Sequence, residues 1–366
     1  MSDYYIGLLS GTSVDGIDAA IIDLSQNQIN MVCCHEQAFS HSLKKDLQNI
    51  IKDQSLSLSQ LSEIDSLLAF EFAQAVNILI KKSKIDKSKI MAIGSHGQTL
   101  FHQPDGNHPN TLQVGSSHKL AAMTGIDVVC NFRNLDMALE GQGAPLAPII
   151  HQQLFSQEKK NTAVINLGGI SNISLIGQNY KNIIGYDIGP ANCLIDEWIH
   201  IHKREPFDNE GSWARQGQLN QVLLDQMLDD QYFSKPFPKS TGREYFNRSW
   251  YNNFIDQFKL TSAVDIQTTL THLVAASIGK EVSGKSIDNI IVMGGGANNK
   301  FLIELIEGYS GIETKISSDF GYEPDWIEAI LFAYLAKQRI ENRKLDLSSI
   351  TGSTKKLLVG DIINIS

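Results

Sequence analysis

Along most of this chain, apolar residues come in short blocks punctuated by glycine, serine and asparagine, a strand-and-turn rhythm interrupted by a few helical stretches. Ile6-Gly7-Leu8-Leu9 enters a turn built from Ser10, Gly11, Thr12, Ser13, Asp15 and Gly16, and Ile17 to Ile22 leaves it. The pattern predicts strand, glycine-rich turn, strand. A hairpin of the same design covers Ala163 to Gly177, with its turn at Asn166 to Asn172. A third glycine turn, Gly294-Gly295-Gly296-Ala297-Asn298, follows the strand Asn289 to Met293. Ile29–Cys34, Ile90–Gly94, Leu112–Gly115, Asp127–Cys130 and Lys356–Ile365 read as further strands.

Helical spacing is clearest from Leu58 to Lys82, where Leu61, Ile64, Leu68, Phe72, Val76 and Leu79 recur on one face and Ser57 with Gln60 has the spacing of a capping box. Other helices are predicted over Ser117–Thr124, Cys193–His200, Thr268–Val282 and Trp326–Asn342, with loops and short helices over residues 201–260. The strand–hairpin–helix order of the first half recurs in the second. The passage Glu140-Gly141-Gln142-Gly143-Ala144-Pro145 reads as a hinge. The expected division is an N-terminal lobe over 1–138, a C-terminal lobe over 139–345, and a last segment, 346–366, that packs back on the first lobe.

Composition narrows the partners. The chain has 366 residues, 42% hydrophobic and 19% charged, with a net charge of -9. Its length accommodates two domains. The acidic balance argues against nucleic acid, because neutralising phosphates needs a basic face. No apolar run approaches the ~18 residues of a membrane span. Met1-Ser2-Asp3-Tyr4-Tyr5 does not read as a secretory leader. Cys33, Cys34, Cys130 and Cys193 form no C-x-x-C pair, the usage of reduced thiols in the cytoplasm.

The glycine turns carry the first chemistry. Glycine lets backbone N–H groups come close to an anion, and Asp15 and Asp18 stand beside the first turn, placed to hold a divalent cation. One such turn alone is most simply a tight bend. Three of them, two in hairpins of similar design, point to a nucleotide held between duplicated halves. Asp187 lies after Ile183-Ile184, an apparent strand end, and before Gly189-Pro190. It is either a proton acceptor in a ligand crevice or a cap for the following helix. Ser95-His96-Gly97-Gln98-Thr99 reads as a polar loop facing a substrate, and His96 with His102 lacks the partners of a metal set. Arg133 offers a cation to an anionic group or a salt bridge, and Glu328 is structural or reaches the same site. Gly279 to Ser286 matches the phosphate-loop pattern but is entered by a helix and left by a strand, the reverse of what that motif needs.

Seven stretches together carry a specific resemblance: Gly7–Asp18, Ser95–Thr99, Gly141–Pro148, Ile165–Asn172, Tyr186–Trp198, Pro238–Asn247 and Gly294–Asn299, extended by Asp325–Ala333. In these the chain resembles the 1,6-anhydro-N-acetylmuramic acid kinase family, within the superfamily of actin, heat-shock chaperones and sugar kinases. The resemblance implies an α/β, two-lobed actin-like fold, a duplicated RNase H-like unit with mixed sheets and a central nucleotide cleft. ATP and Mg²⁺ are the implied cofactors. Gly11, Thr12, Ser13, Val14, Asp15, Gly16, Ile17 and Asp18 would bind ATP phosphates, Gly168 and Gly169 would face them, and Gly294, Gly295, Gly296 and Asn298 would lie near the adenosine. Asp187 would be the catalytic base, and Thr99, Arg133 and Glu328 would contact the sugar. The metal ligands are left unassigned.

The implied reaction opens the anhydro bond and phosphorylates O6, in cell-wall recycling. The implied setting is a cytoplasmic homodimer without nucleic-acid or membrane partners. Departures from the expected pattern are Asn131 for an aspartate, Glu140 for a glycine, Ile188 for a threonine and Ala191 for a glycine. A kinase for a plain hexose or amino sugar, or a nucleotide-dependent binding protein, are the competing expectations.

Overall fold

The first predicted hairpin forms as read. In a computed structural model of the chain, Tyr4–Ser10 pairs antiparallel with Gly16–Asp23, Leu9 opposite Asp18. The structure describes residues 3–11, 14–26, 28–237, 239–258 and 260–365, with residues 181 and 182 described by their backbone alone. The strands, in chain order, are β1 (Tyr4–Ser10), β2 (Gly16–Asp23), β3 (Asn30–Ala38), β4 (Ile90–Gln103), β5 (Asn110–Val114), β6 (Val128–Cys130), β7 (Asn161–Leu167), β8 (Ile170–Gly177), β9 (Tyr180–Pro190), β10 (Asn289–Met293), β11 (Thr314–Ile316) and β12 (Asp361–Ile363). The helices are α1 (His41–Asp53), α2 (Leu58–Ser83), α3 (Ser117–Thr124), α4 (Asn134–Ala138), α5 (Ala147–Phe155), α6 (Asn192–Lys203), α7 (Gln221–Leu228), α8 (Arg248–Ile255), α9 (Ala263–Val282), α10 (Lys300–Ser310) and α11 (Ile327–Ile340).

Two compact units emerge, residues 1–154 with 325–366, and residues 155–324. The sequence reading placed the division at 138/139 and returned only 346–366 to the first unit. The glycine passage after residue 139 is instead tied into the first unit. Buried Asp136 accepts from Gly143 N–H at 2.7 Å, its carbonyl accepts from Gly141 N–H, and Gln142 N–H bonds Thr351 O at 2.8 Å. Helix α11 belongs to that unit because it lies on β1 and β4.

Each unit carries a mixed sheet built on the same five-strand plan, to which the first adds β5 and β12. In the first the order is β12-β6-β4-β1-β2-β3. β1, β2 and β3 run antiparallel in sequence, and β4 and β6 are added parallel on the other side of β1. In the second the order is β11-β10-β7-β8-β9, again an antiparallel meander with two parallel strands added beside its first strand. The α/β architecture is thus a duplicated unit, as expected.

Helices cover the sheets because the central strands are apolar on both faces. Residues of α1, α2 and α3 pack on Ile6, Leu8, Ile17, Ile21 and Ile93. On the opposite face α11 lies so close that a Cβ at Gly7 or Gly94 would collide with the backbone of Ala329 or Phe332. Helix α2 carries its predicted capping box, with Gln60 N–H donating to Ser57 Oγ and Ser57 N–H to Gln60 Oε1. In the second unit α9 and α10 cover the sheet, and aromatic residues of α6, α8 and the intervening loops form a further core. Among the described residues no helix is long and apolar enough to cross a membrane.

Three expectations are corrected. Ser95–Thr99 is not a loop: β4 continues through it to Gln103, since β1 on one side and β5 on the other satisfy its backbone groups. Asp187 is not at a strand end but inside β9, opposite Asn172. The C-terminal strand shrinks to β12, with a separate bridge between Leu345 and Leu357. Helix α1, with Leu43 and Leu47 buried, had gone unread.

Candidate active site

Within the first unit, the β1–β2 turn opens at the strand ends where β4 also bulges. Gln98, fully buried in β4, accepts from Ser10 Oγ at 2.6 Å and donates to Gly11 O at 3.2 Å, fixing where the turn begins. Thr12 and Ser13 lie outside the described residues. Val14 takes a left-handed conformation with φ 58°, its N–H bonded to Gly11 O. Asp15 pairs with Lys44 at 2.5 Å. Gly16 is crowded by Gln37 O, and Ile17 points into the core. Asp18 is half-buried, and its pKa rises to about 7, mainly through burial and then through the negative charges of Glu36, Glu328, Asp325 and Asp15.

The sequence-predicted sugar contacts gather in the same unit. Arg133 stands at the N-cap of α4. Its Nε donates to His96 Nε2 at 2.9 Å and its Nη1 to Gly143 O at 2.8 Å. His96, its ring tilted against Phe332 in α11, therefore accepts with a bare Nε2 and donates from Nδ1 to Gly97 O at 3.1 Å. Burial and the neighbouring Arg133 hold its pKa down at about 3, so the ring is neutral. Neutral His96 and the Gly143 carbonyl leave the guanidinium charge uncancelled by its hydrogen-bond partners. Glu328, in the first turn of α11, reaches solvent, yet the protein packed around it pushes its pKa up while Arg133 pulls it down. Thr99 Oγ1 accepts from Gln113 Nε2 at 3.3 Å.

The second unit places Asp187 in a backbone clamp. Its N–H bonds Lys239 O at 3.1 Å, its carbonyl accepts from Tyr232 Oη at 2.9 Å, and its Oδ2 accepts from Thr241 N–H at 3.0 Å. Burial pushes the carboxyl up to about 6, against the Thr241 bond and with help from Glu244. Lys239 is in turn almost fully buried and paired with Glu281 at 3.2 Å, and Glu281 also accepts from Tyr186 Oη at 2.7 Å. The segment that mimics a phosphate loop thus supplies an anchor behind Asp187. Ile188 and Ala191, two departures from the expected pattern, are buried core residues.

The two glycine turns of this unit meet because β7 and β10 are adjacent parallel strands, Asn166 beside Met293, so their turns open at one sheet edge. Gly294, at φ 78°, has no room for a side chain against Asn166, and a Cβ at Gly296 would lie 2.6 Å from Leu167 Cβ. The carbonyls of Gly168 and Gly169 accept the first N–H groups of α6, from Asn192 and Cys193. Beside these turns lies a cavity of ≈ 240 Å³ lined by Asn192, Asp196, Asp208, Glu210, Gly295, Gly296 and Asn298. An added Cβ would meet only ordinary contacts at Gly168 and Gly295, the nearest atoms being 3.4 and 4.0 Å away, and both backbones reach solvent. Backbone exposed in this way suits phosphate groups. For a divalent metal, the crowded carboxylate of Asp18 is the oxygen donor a hard cation prefers. Among the described residues no preformed cluster of three or more metal-ligating side chains occurs.

Two residues escaped the sequence reading. Arg243 packs against Gly169, where a Cβ would sit 2.8 Å from its guanidinium nitrogens. Asp196, held up at about 7 by burial and Asp208 and drawn down by Arg243, lines the cavity one helical turn after Asn192. The i, i+4 spacing of Asn192 and Asp196 was the available signal.

The chain matches the model of a family described as "Anhydro-N-acetylmuramic acid kinase" over residues 3–364. It is 41% identical over 363 residues to the anhydro-N-acetylmuramic acid kinase of Shewanella denitrificans, covering 98% of this chain and 97% of that one. The protein of the same description in Aliivibrio fischeri is 42% identical over 362 residues, covering 98% of each. Among solved structures, a ROK hexokinase from Thermus thermophilus aligns with TM-score 0.43 and 11% identity, covering 92% of this chain and 99% of that one.

Proposed function

Since this chain belongs to the anhydro-N-acetylmuramic acid kinase family, we propose that it hydrolyses the 1,6-anhydro bond of 1,6-anhydro-N-acetylmuramic acid and phosphorylates O6 with ATP. The product is N-acetylmuramic acid 6-phosphate, and the setting is the recycling of peptidoglycan. The observation that carries the reaction is Asp187: a buried carboxylate with its pKa raised to about 6 and one oxygen held by Thr241 N–H. Such a group is ionised near neutrality yet basic enough to take a proton.

Asp187 accepts a proton from water, whose oxygen bonds to C1 of the sugar as the C1–O6 bond breaks. O6 leaves with the electron pair and attacks the γ-phosphorus, ADP departs, and the proton on Asp187 passes to solvent. Arg133, held by neutral His96, and Glu328 and Thr99 orient the sugar. The Gly11–Asp18 turn and Gly168–Gly169 meet the phosphates, and the Gly294–Asn298 turn lies beside the adenosine. Arg243, over Gly169, adds a cation where phosphoryl charge develops. Mg²⁺, with Asp18 as its first candidate ligand, would neutralise phosphate charge. A cytoplasmic homodimer accompanies this reading, and light scattering at assay concentration tests the dimer.

The test is coupled ADP release with Mg-ATP and 1,6-anhydro-N-acetylmuramic acid, wild type against Asp187→Asn. Sugar-dependent release that collapses in the variant is expected. Wild-type release independent of this sugar, or equal release with a plain hexose, overturns the proposal.

A further inference from the structure

Arg133 is a long side chain, and holding it in one geometry costs rotamer entropy unless the fold orders it beforehand. One side of its guanidinium is fixed by His96, whose own ring is held by Gly97 O and tilted against Phe332. The other side depends on one carbonyl, Gly143 O, which accepts from Nη1 at 2.8 Å. Nη2 takes part in neither bond. Gly143 belongs to no helix or strand, so its carbonyl must be fixed from elsewhere in the fold.

A buried chain of hydrogen bonds does this. Gly143 N–H donates to Asp136 Oδ2 at 2.7 Å, and Thr351 Oγ1 donates to Asp136 Oδ1 at 2.7 Å. Asp136 is fully buried and Thr351 is 3% exposed. Leu347 O, 3.2 Å from the same hydroxyl, is the longer of its two acceptors. Asp136 O accepts from Gly141 N–H at 2.9 Å, and Gln142 N–H donates to Thr351 O at 2.8 Å. Thr354 donates from both N–H and Oγ1 to Leu139 O, at 3.0 and 3.1 Å. The turn 139–143 is thus clamped by α4 on one side and by residues 351–354 on the other. Space at its glycines is tight: a Cβ at Gly141 would lie 2.3 Å from Asp136 Oδ2, and one at Gly143 would lie 2.8 Å from Met137 Cγ. A buried carboxylate is costly to leave half-satisfied, so Asp136 carries the position of Thr351 to Gly143.

We infer that Thr351 and Asp136 are positioning residues for the sugar: the Thr351–Asp136–Gly143 chain sets the carbonyl that holds the Arg133 guanidinium, and sets sugar affinity through Arg133 rather than by contact. The inference rests on the proposed role of Arg133 and deepens it. Thr351 lies 215 positions after Asp136, beyond every stretch that carries the family resemblance, so the C-terminal segment gains a part in substrate binding. Asp136 also acts on Arg133 by its charge, as Glu328 does. Thr351 is uncharged, so a change there reads the geometry of the chain alone.

Thr351→Val removes the hydroxyl and keeps the shape, whereas Thr351→Ser keeps the hydroxyl. Gly141→Ala presses on the same carboxylate from the other side and serves if the valine variant does not fold. ADP release with Mg-ATP and 1,6-anhydro-N-acetylmuramic acid is measured for each, alone and on an Arg133→Met background. The sugar KM should rise about tenfold in Thr351→Val and Gly141→Ala while kcat and the KM for ATP hold. Thr351→Ser should stay within about twofold of wild type. On the Arg133→Met background the same changes should add less than about twofold, because the group they act through is gone. An unchanged sugar KM in the folded variants, a fall in kcat in its place, or an undiminished rise on the Arg133→Met background overturns the inference. A second readout needs no substrate. In ¹⁵N-edited NMR spectra, Arg133 Nε–H should exchange slowly with water in wild type and Thr351→Ser, and about tenfold faster in Thr351→Val. Equal exchange in all of them overturns the inference. A wild type that releases no sugar-dependent ADP, while its Arg133 signal still responds to Thr351, overturns the proposed substrate instead.

Discussion

Asp187→Asn should make the protein more stable and inactive at once. The wild-type carboxyl moves from its ordinary 3.8 up to about 6, with burial the main cause. A group whose folded pKa lies above its unfolded value holds its proton more tightly in the native state. Its contribution is fully present below the unfolded pKa and is lost as pH rises through the folded one. For Asp187, ionisation therefore begins to favour the unfolded chain above 3.8, and the penalty stops growing above about 6. A separation of about two pH units corresponds to ~3 kcal/mol. Asparagine keeps the shape and an oxygen that accepts from Thr241 N–H, and carries no charge to desolvate. Urea denaturation at a series of pH values should show the variant's advantage growing from under ~1 kcal/mol at pH 4 to ~3 kcal/mol at pH 8. Turnover should fall by about 10²–10⁴-fold, and the wild-type rate should fall below about pH 6 as Asp187 takes up a proton. An advantage that does not change with pH, or a variant less stable than wild type at pH 8, would refute the desolvated carboxylate. Stabilisation with undiminished turnover would keep the titration and move the base elsewhere.

Other consequences are as direct. Gly94→Ala places a Cβ against Phe332 O, so α11 must lift from β4. A loss of ~1–3 kcal/mol in chemical denaturation is expected, with a raised KM for the sugar because Glu328 moves with the helix. Glu281→Gln leaves almost fully buried Lys239 without its carboxylate partner. That should cost ~3 kcal/mol by urea titration and lower kcat through the Lys239 carbonyl that holds Asp187 N–H. Asp18, with its pKa raised to about 7, must lose its proton to hold a cation. The Mg²⁺ needed for half-maximal rate should therefore climb as pH drops below 7, and this climb should disappear in Asp18→Asn. A metal requirement with the same pH dependence in that variant would remove Asp18 from the metal site.

How legible the molecule was differs from element to element. The hairpins, the three glycine turns and the capped helix α2 were read directly, because each depends on side-chain alternation, helical spacing or turn chemistry within a few residues. So was the likeness of the two halves, which the matching sheet orders express in space. The polar run Ser95–Thr99 misled, since polar residues between apolar blocks usually mark a loop. Here β1 and β5 pair with it from both sides, and a strand running under a helix can carry a buried polar side chain that finds partners, as Gln98 does with Ser10 and Gly11.

By itself, then, the sequence determined the strand-and-turn grammar, the duplicated α/β plan and the family, and it named candidates for the residues that carry chemistry. Only the tertiary structure decided how those residues are tuned. Arg133 is held by a neutral histidine 37 positions earlier, and Asp187 by an amide 54 positions later. Glu328 is carried beside Asp18 because two glycines let α11 settle on β1 and β4. The physical reason is the range of the forces involved. Backbone preference acts between neighbours in the chain, whereas desolvation, charge coupling and orphaned hydrogen bonds act between neighbours in space, and those arise only once the chain has folded.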